Sequence, residues 1–210
     1  MSDPQSNRTE HWQRVYDKPE HAVSWYQPHA KSSLRLIDAA NLSSRDALID
    51  VGGGASTLVD GLVARDYLDT TVLDVSERSL SVAKQRLGAL AARVRWIVGD
   101  VTSWEPAREY RLWHDRAVFH FLTDPNERRA YLDRLARAVP AGGAVVLATF
   151  AADGPERCSG LPVQRYSLSA LEAELRPVAK MVEARKELHT TPSGTQQSFL
   201  FARLLRTSSA

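Results

Sequence analysis

Short apolar runs alternate with helical patterns from residue 47 onward, and this alternation constrains the fold more than any other feature of the chain. Runs rich in β-branched residues are typical of buried strands. This part of the chain has five such runs, and segments with helical spacing separate most of them. The predicted strands of this part lie at residues 47–51, 70–75, 94–98, 111–115 and 144–150. A repeated strand–helix–strand order favours a parallel sheet with right-handed crossovers. The sequence therefore predicts an α/β fold.

The C-terminal part of the chain breaks this alternation. Residues 178–187 and 197–205 are both strand-like, and no helical segment separates them. Two consecutive strands of this kind favour an antiparallel hairpin at one edge of the sheet. With the five earlier strands, the prediction is a mostly parallel seven-stranded sheet with an antiparallel C-terminal hairpin and helices on both faces, a three-layer sandwich.

Local signals place the helices and the limits of the domain. Ser76 and Asp124 are predicted N-caps, and Pro125 suits the first turn of the helix that follows Asp124. A length of 210 residues suits a single domain. We expect residues 1–9 to be flexible, residues 10–41 to form an N-terminal helical cap that opens with a helix at 10–16, and residues 46–206 to form the α/β core.

Composition excludes several classes of protein. Lys and Arg number 27 against 25 for Asp and Glu, and the two signs are interleaved, so no clustered basic face for nucleic acid is predicted. The only cysteine, Cys158, can form neither an intrachain disulfide nor a CxxC zinc site, and no metal site is predicted. The polar N-terminus does not resemble a signal peptide, and no apolar run is long enough to span a membrane. We expect a cytoplasmic protein, and its oligomeric state stays open.

A glycine-rich loop follows the first predicted strand. Gly52 and Gly54 allow a tight bend and a close approach of the backbone to a ligand. The acid directly before the glycines, Asp50, would not favour a pyrophosphate but would favour a ligand with positive charge. The third glycine of a dinucleotide-binding motif would fall at Thr57, which is β-branched. A plain strand-to-helix turn is an equally weighted interpretation of the glycines alone.

Two more acids stand at or just beyond the ends of the next two predicted strands. Asp74 lies about 20 residues beyond the glycines, where an acid commonly accepts hydrogen bonds from ribose hydroxyls. Asp100 could accept from an exocyclic amine such as that of adenine, and the Val101 N–H could donate to a ring nitrogen. Taken singly, Asp74 could instead be a helix N-terminal acid, and Asp100 a solvated turn residue. Their shared position matters more, because α/β sheets bind ligands at the carboxyl ends of their strands.

At this point the chain resembles the class I, seven-β-strand S-adenosylmethionine-dependent methyltransferases, over roughly residues 11–205. The resemblance is carried by residues 48–56 (LIDVGGGAS), 72–76 (VLDVS), 98–101 (VGDV), 112–118 (LWHDRAV) and 135–150. It implies a Rossmann-like fold and S-adenosylmethionine as cofactor. The implied contacts are Asp50, Gly52 and Gly54 with the methionine part, Asp74 with the ribose, and Asp100 and Val101 with adenine; Val75 is a further implied cofactor contact. Asp115 would lie near the methionine end or the acceptor.

The N-terminal segment is similar to that of a subgroup containing several protein-lysine methyltransferases. There an aromatic helix covers the cofactor, and Trp12 and Tyr16 would take that role here. Packing of both rings against the sheet is the alternative. Residues 114–121 (HDRAVFHF) depart from the acid-Lys-Gly sequence of that subgroup, and the Pro-Pro motif of the amino methylases that act on adenine or glutamine is absent. The resemblance therefore does not carry over a lysine acceptor.

Asp115 and His120 are the candidate general bases. A base is needed only where the acceptor must lose a proton, since the cofactor already carries an activated methyl group. His120 has an unperturbed pKa near neutrality, but a structural, hydrogen-bonded histidine is the preferred interpretation. The loop at residues 153–166, which contains Arg157, Cys158 and Arg165, could form a lid and grip an anionic acceptor, or it could be an ordinary connection.

Three functional classes follow from these residues. We favour a methyltransferase with a small-molecule acceptor, which needs a covered pocket. A protein-lysine methyltransferase needs an open, acidic cleft. An NAD-binding oxidoreductase of the same general fold would be expected to carry a Tyr-x-x-x-Lys proton donor, and the sequence has none.

Overall fold

The computed structural model describes residues 4–17 and 22–208. The helices are α1 (Pro4–Val15), α2 (Lys31–Asp38), α3 (Leu58–Val63), α4 (Glu77–Leu87), α5 (Pro125–Ala138) and α6 (Leu168–Leu175). The strands are β1 (Leu48–Val51), β2 (Thr70–Asp74), β3 (Val94–Val98), β4 (Leu112–Arg116), β5 (Ala144–Phe150), β6 (Arg157–Cys158), β7 (Leu161–Pro162), β8 (Ala179–Thr190) and β9 (Gln196–Arg206). Short 3-10 turns follow α4 (Gly88–Arg93) and β4 (Phe119–Phe121).

The main sheet has seven strands in the order β3-β2-β1-β4-β5-β9-β8. Strands β1 to β5 are parallel, and β9 pairs antiparallel with both β5 and β8. The predicted α/β fold, its strand count and its antiparallel C-terminal hairpin are confirmed. The chain reverses direction across the sheet between β1 and β4, since β2 and β3 lie on one side of β1 and β4 and β5 on the other. Ligands bind at such a switch point in open α/β sheets.

Helices cover both faces of the sheet, which is why β1, β2 and β5 are buried along their whole length. Apolar residues of α2, α3 and α4 pack on one face, and those of α5 and α6 pack on the other. Because successive strand residues point to opposite faces, neighbours in one strand meet different helices. We call the two sides the α2 face and the α5 face.

Several helix limits differ in detail from the predictions. Ser76 and Asp124 cap α4 and α5 as expected, accepting from the N–H groups of Ser79 and Asn126. The N-terminal helix starts at Pro4 rather than at residue 10, and residues 1–3 of the segment predicted to be flexible lie outside the described residues. The small β6–β7 hairpin was not predicted, because its two-residue strands carry no periodic pattern. Within residues 4–17 and 22–208, no helix combines the length and the apolar character needed to cross a membrane.

Candidate active site

A cleft of about 970 Å³, including the solvent at its mouth, opens at the carboxyl ends of β1 to β4. Most of the predicted cofactor residues line the cleft: Trp12, Tyr16, Asp50, Gly52, Asp74, Val75, Asp100 and Val101. Gly54, Asp115 and His120 are not part of its wall. The structure thus brings together residues that are up to 89 positions apart in the sequence.

The glycine loop leaves no room for side chains beneath it. Gly52 has a φ of +65°, and a Cβ there would lie 2.0 Å from Cγ2 of Val118. Gly54 has a φ of +31°, and its Cβ would lie 2.6 Å from an oxygen of Asp74. Gly54 therefore supports the Asp74 carboxylate from the protein side and does not face the cleft.

We predict that Gly53→Ala lowers the stability of the domain by about 1–3 kcal/mol. Gly53 has no left-handed backbone, so the effect is purely steric: a Cβ would lie 2.4 Å from Oδ2 of Asp50 and 2.8 Å from Cγ1 of Val72. Thermal unfolding measures the change, and Gly99→Ala is the control, because its nearest neighbour would be at an ordinary 3.4 Å. Equal melting temperatures for both variants would contradict the steric argument.

Asp50 belongs to a buried hydrogen-bonded chain on the α2 face. It stands beside His114 in the parallel register of β1 and β4, so their side chains point the same way. His114 Nδ1 lies 2.7 Å from Oδ1 of Asp50, and its Nε2 lies 2.8 Å from Oγ of Ser33 in α2. Because a carboxylate only accepts, His114 donates from Nδ1 to Asp50. Oδ2 of Asp50 is buried and has no hydrogen-bond partner among the described residues.

Asp74 lies at the end of β2 with little exposure to solvent. Its Oδ1 accepts a 2.8 Å hydrogen bond from the Ser76 N–H, which fixes the orientation of the carboxylate. Burial raises the pKa of Asp74 to about 6, although hydrogen bonds from Ser76 and Ser79 favour the charged form. The carboxylate is therefore ionised at neutral pH and is available to hydroxyl donors.

Helix α1 lies across the mouth of the cleft. Polar contacts of Arg8, near its start, and Gln13, near its end, hold it there. Near its start, Arg8 donates to Oδ2 of Asp100 at 2.9 Å and also pairs with Glu127. Near its end, Oε1 of Gln13 accepts from the Ser76 hydroxyl at 3.1 Å. These contacts hold α1 across the carboxyl ends of β2 and β3.

The aromatic residues of α1 pack over the cleft rather than into the main core. Trp12 makes edge contacts with Trp25 and Phe121, at centroid distances of 5.8 and 5.0 Å. Tyr16 contacts the same Trp25 ring at 6.2 Å. All four rings belong to the wall of the cleft, and Trp12 and Tyr16 contact aromatic neighbours there; that they cover a bound cofactor stays a prediction.

The structure places the side chain of Asp115 outside the wall of the cleft in which it was predicted to act. It follows His114 in β4, so its side chain points to the opposite, α5 face. There Oδ1 accepts from the Val118 N–H at 2.8 Å, and Oδ2 accepts from the Phe119 N–H at 3.0 Å and the Tyr131 hydroxyl at 2.7 Å. Fully buried behind the cleft wall, Asp115 organises the turn that follows β4.

His120 also does not suit the role of a base. It is fully buried, contacts the rings of Phe121 and Phe150, and accepts a 3.2 Å hydrogen bond at Nδ1 from the Phe150 N–H. Burial, and secondarily the charge of Arg116, lower the pKa of His120 to about 3. A neutral imidazole that is so weakly basic and lies outside the cleft wall supports the structural interpretation.

The loop at residues 153–166 contributes a thiol to the cleft, and its arginines point elsewhere. Arg165 donates to the Gly154 carbonyl and pairs with Glu156, and the exposed Arg157 donates to the Gly160 carbonyl. Cys158 is the residue of this loop that belongs to the cleft wall. Arg157 and Arg165 therefore do not line the cleft, and they are not placed to bind an anionic acceptor there.

Cys158 is expected to be unreactive in the folded protein. It is 5% exposed, and burial raises the pKa of its thiol to about 11, so its thiolate fraction near pH 8 is lower by roughly 100-fold than for an ordinary cysteine. We predict that iodoacetamide labels the native chain at least about 100-fold more slowly than the urea-unfolded chain. The chain has a single cysteine, so labelling reports this site alone. Equal rates in the two states would contradict the burial argument.

The sequence analysis missed two side chains of the cleft wall, His114 and Arg116. Both could have been found from the rule that α/β sheets bind ligands at the carboxyl ends of their strands. His114 shares a register position with Asp50, and Arg116 ends β4 at the same carboxyl edge as the acids. Only acidic residues were considered at the strand ends, so an arginine in an equivalent position was passed over. Arg8 and Ser33 carried no such signal, because their contacts depend on how α1 and α2 pack.

Comparisons with known proteins give one family model and many solved structures of the same fold. Residues 48–143 match a family model described as a methyltransferase domain. A search among curated proteins gave no significant match. Solved structures share the fold at low sequence identity, and three of them illustrate this.

The first is 1,6-didemethyltoxoflavin-N1-methyltransferase from Burkholderia thailandensis, solved with 1,6-didemethyltoxoflavin and S-adenosylhomocysteine: 16% identity, TM-score 0.73, 99% of this chain and 92% of that chain covered. The second is the N-methyltransferase NodS from Bradyrhizobium japonicum WM9 with S-adenosylhomocysteine: 18% identity, TM-score 0.70, coverage 99% and 100%. The third comes from work on conversion of a disulfide bond into a thioacetal group during echinomycin biosynthesis: 19% identity, TM-score 0.74, coverage 96% and 94%.

Proposed function

We propose that this chain is a class I S-adenosylmethionine-dependent methyltransferase and that it transfers a methyl group to a small molecule bound in the cleft between β4 and α1. The observation that carries the proposal is the closure of this cleft by aromatic rings. Trp12 of α1 packs on Trp25 and Phe121, so aromatic rings cover part of the cleft. A partly covered cleft suits a small molecule better than a side chain on the surface of another protein.

The residues of the cleft fit the cofactor. The buried, unpartnered Oδ2 of Asp50 offers an acceptor to the ammonium group of the methionine part. Asp74 lines the cleft with its carboxylate oriented by the Ser76 N–H, and the lone pairs that its contacts with Ser76, Ser79 and Gly54 leave unused are offered to ribose hydroxyls. Oδ1 of Asp100 accepts from the N–H and the hydroxyl of Thr102, and Oδ2 accepts from Arg8, which leaves a lone pair of Oδ2 for the adenine amine. We propose these three acids as the cofactor site.

When bound, S-adenosylmethionine supplies a methyl group that is already activated by the positive sulfur. The protein's main contribution is then to position the acceptor and exclude water, and positioning alone can lower a barrier by about 7–11 kcal/mol. Helix α1 excludes water, and the chain Ser33–His114–Asp50 fixes one end of the site. With Asp115 and His120 outside the cleft wall, we propose an acceptor atom that is nucleophilic without a base, such as a neutral amine or a thiolate.

A protein lysine is the alternative acceptor, and the charge at the acceptor end argues against it. Arg116 belongs to the cleft wall beside Cys158 and Phe121, and its positive charge repels a lysine ammonium. Small-molecule acceptors are also named for related folds, as in the toxoflavin-precursor enzyme.

The test is to follow a radiolabelled methyl group from S-adenosylmethionine into a fractionated extract of the source organism. We expect label in the fraction below about 3 kDa and none in acid-precipitated protein. An Asp74→Ala variant is the matched control for label that enters without enzyme action. Label found in protein alone would overturn the small-molecule proposal.

A further inference from the structure

Among the described side chains of the cleft wall, Arg116 has the most buried hydrogen-bond donors without a partner. It is the last residue of β4, and it points to the α2 face like His114 two residues before it. It belongs to the wall of the main cleft and also to that of a small adjoining pocket. A ligand at the acceptor end of the cleft would therefore meet its guanidinium group.

The guanidinium group has few partners. Nη1 donates a 2.9 Å hydrogen bond to the Trp25 carbonyl, and the group lies 5.0 Å from the centroid of the Phe199 ring. Its Nε and Nη2 atoms are buried and have no hydrogen-bond partner in the described part of the chain. An arginine carries five N–H donors arranged for planar, bidentate contact with a carboxylate.

Other partly buried arginines of the molecule show what is missing at Arg116. Arg8, Arg128 and Arg203 each pair with a carboxylate at 3.0 Å or less. Among the residues described, Arg116 has no such ion pair. Burial lowers the pKa of Arg116 only to about 10, so it stays charged at neutral pH. Because burying an uncompensated charge is costly, an anion is the expected partner.

We infer that Arg116 binds a carboxylate within the cleft, supplied by the methyl acceptor or by the methionine end of the cofactor. The inference rests on the proposed function, since it deepens the chemistry of the same cleft. Nη2 and Nε are the donors left for a bidentate contact, and Trp25, Phe121 and Cys158 line the space around them. An acceptor bound there would carry an anionic group on an apolar body.

Binding measurements on two matched ligand pairs test the inference. The first pair is S-adenosylhomocysteine and its decarboxylated analogue, and the second is benzoate and neutral benzamide, titrated into protein saturated with S-adenosylhomocysteine. We expect the wild type to prefer the carboxylate at least tenfold in one pair, and Arg116→Gln to remove that preference while the neutral partner binds within twofold of wild type. Arg116→Lys keeps the positive charge but lacks the planar guanidinium group that makes a bidentate contact. It should therefore retain part of the preference for the carboxylate.

The source of the carboxylate is identified by the ligand pair in which the wild type prefers the carboxylate and Arg116→Gln does not. A response in the first pair assigns it to the cofactor, and a response in the second assigns it to the acceptor. No carboxylate preference in the wild type, or a preference that survives in both variants, would overturn the inference. The wild-type comparison stands even if Arg116→Gln fails to fold. The binding experiment measures no methyl transfer, so its outcome is independent of the fractionation experiment. Label found in protein alone would contradict the proposed function and would leave the carboxylate preference of Arg116 to be decided by the binding data.

Discussion

Replacing Asp74 with alanine should weaken the binding of S-adenosylhomocysteine tenfold or more. The cause is the loss of a carboxylate that would accept from the ribose hydroxyls, and hydrogen bonds to a charged group contribute roughly 1.5–3 kcal/mol. Asp74→Asn is the sharper variant, because its side-chain oxygen can still accept from the Ser76 N–H that orients Asp74. Calorimetric titration gives the dissociation constants directly.

The same carboxylate predicts how binding depends on pH. Burial raises the pKa of Asp74 to about 6, so the group is ionised at pH 7 and becomes protonated as the pH falls through 6. The dissociation constant should therefore be constant above about pH 7 and rise towards pH 5, by up to tenfold per unit for a single titrating group. In Asp74→Asn this rise should be absent.

Asp69→Asn is the control for both experiments. Asp69 precedes β2 at the opposite end of the strand and pairs with Arg108, away from the cleft. Its replacement should leave the affinity and the pH profile unchanged. Unaltered affinity in both Asp74 variants would contradict the assignment of Asp74 to the ribose.

Asp115→Ala should be the most destabilising change among the predicted site residues, by about 3 kcal/mol. The substitution removes the acceptor of the Val118 and Phe119 N–H groups and of the Tyr131 hydroxyl. Each buried donor left without a partner costs about 1–3 kcal/mol. For a domain of this length, the melting temperature should fall by about 6–12 °C.

The exposed Asp133 of α5 provides the matched control, since Asp133→Ala should change stability by no more than about 0.5 kcal/mol. Below its melting temperature, Asp115→Ala should bind S-adenosylhomocysteine within about twofold of wild type, because Asp115 lies behind the cleft wall. A variant that melts like wild type but has lost methyl transfer would show that Asp115 acts on the reacting groups.

The sheet was predictable because each of its strands carries its own signal. Runs such as residues 144–150 are apolar along their whole length, and the acids near the strand ends fall at one edge of any parallel sheet. Asp50, Asp74 and Asp100 could therefore be placed together without knowledge of the tertiary structure. Period-two alternation within β4 would also have separated Asp115 from His114 and Arg116, whereas the face that Asp50 shares depends on the register of β1 and β4.

The remaining part of the site depends on packing that has no local signature. Arg8 reaches Asp100 across 92 positions, and Ser33 reaches His114 across 81. His120 follows β4 as an exposed loop histidine would, yet the ring contacts with Phe121 and Phe150 bury it. Burial decides its protonation, and burial of a single side chain cannot be deduced from the type of its neighbours in sequence.

Parallel calorimetric titration with S-adenosylmethionine, S-adenosylhomocysteine and NAD tests the central claim most directly. The three acids around the glycine loop would hold an ammonium group, a ribose and an adenine, and the Asp50 carboxylate beside the loop would repel a pyrophosphate. The account predicts micromolar binding of the first two ligands and no binding of NAD. Binding of NAD alone would contradict it.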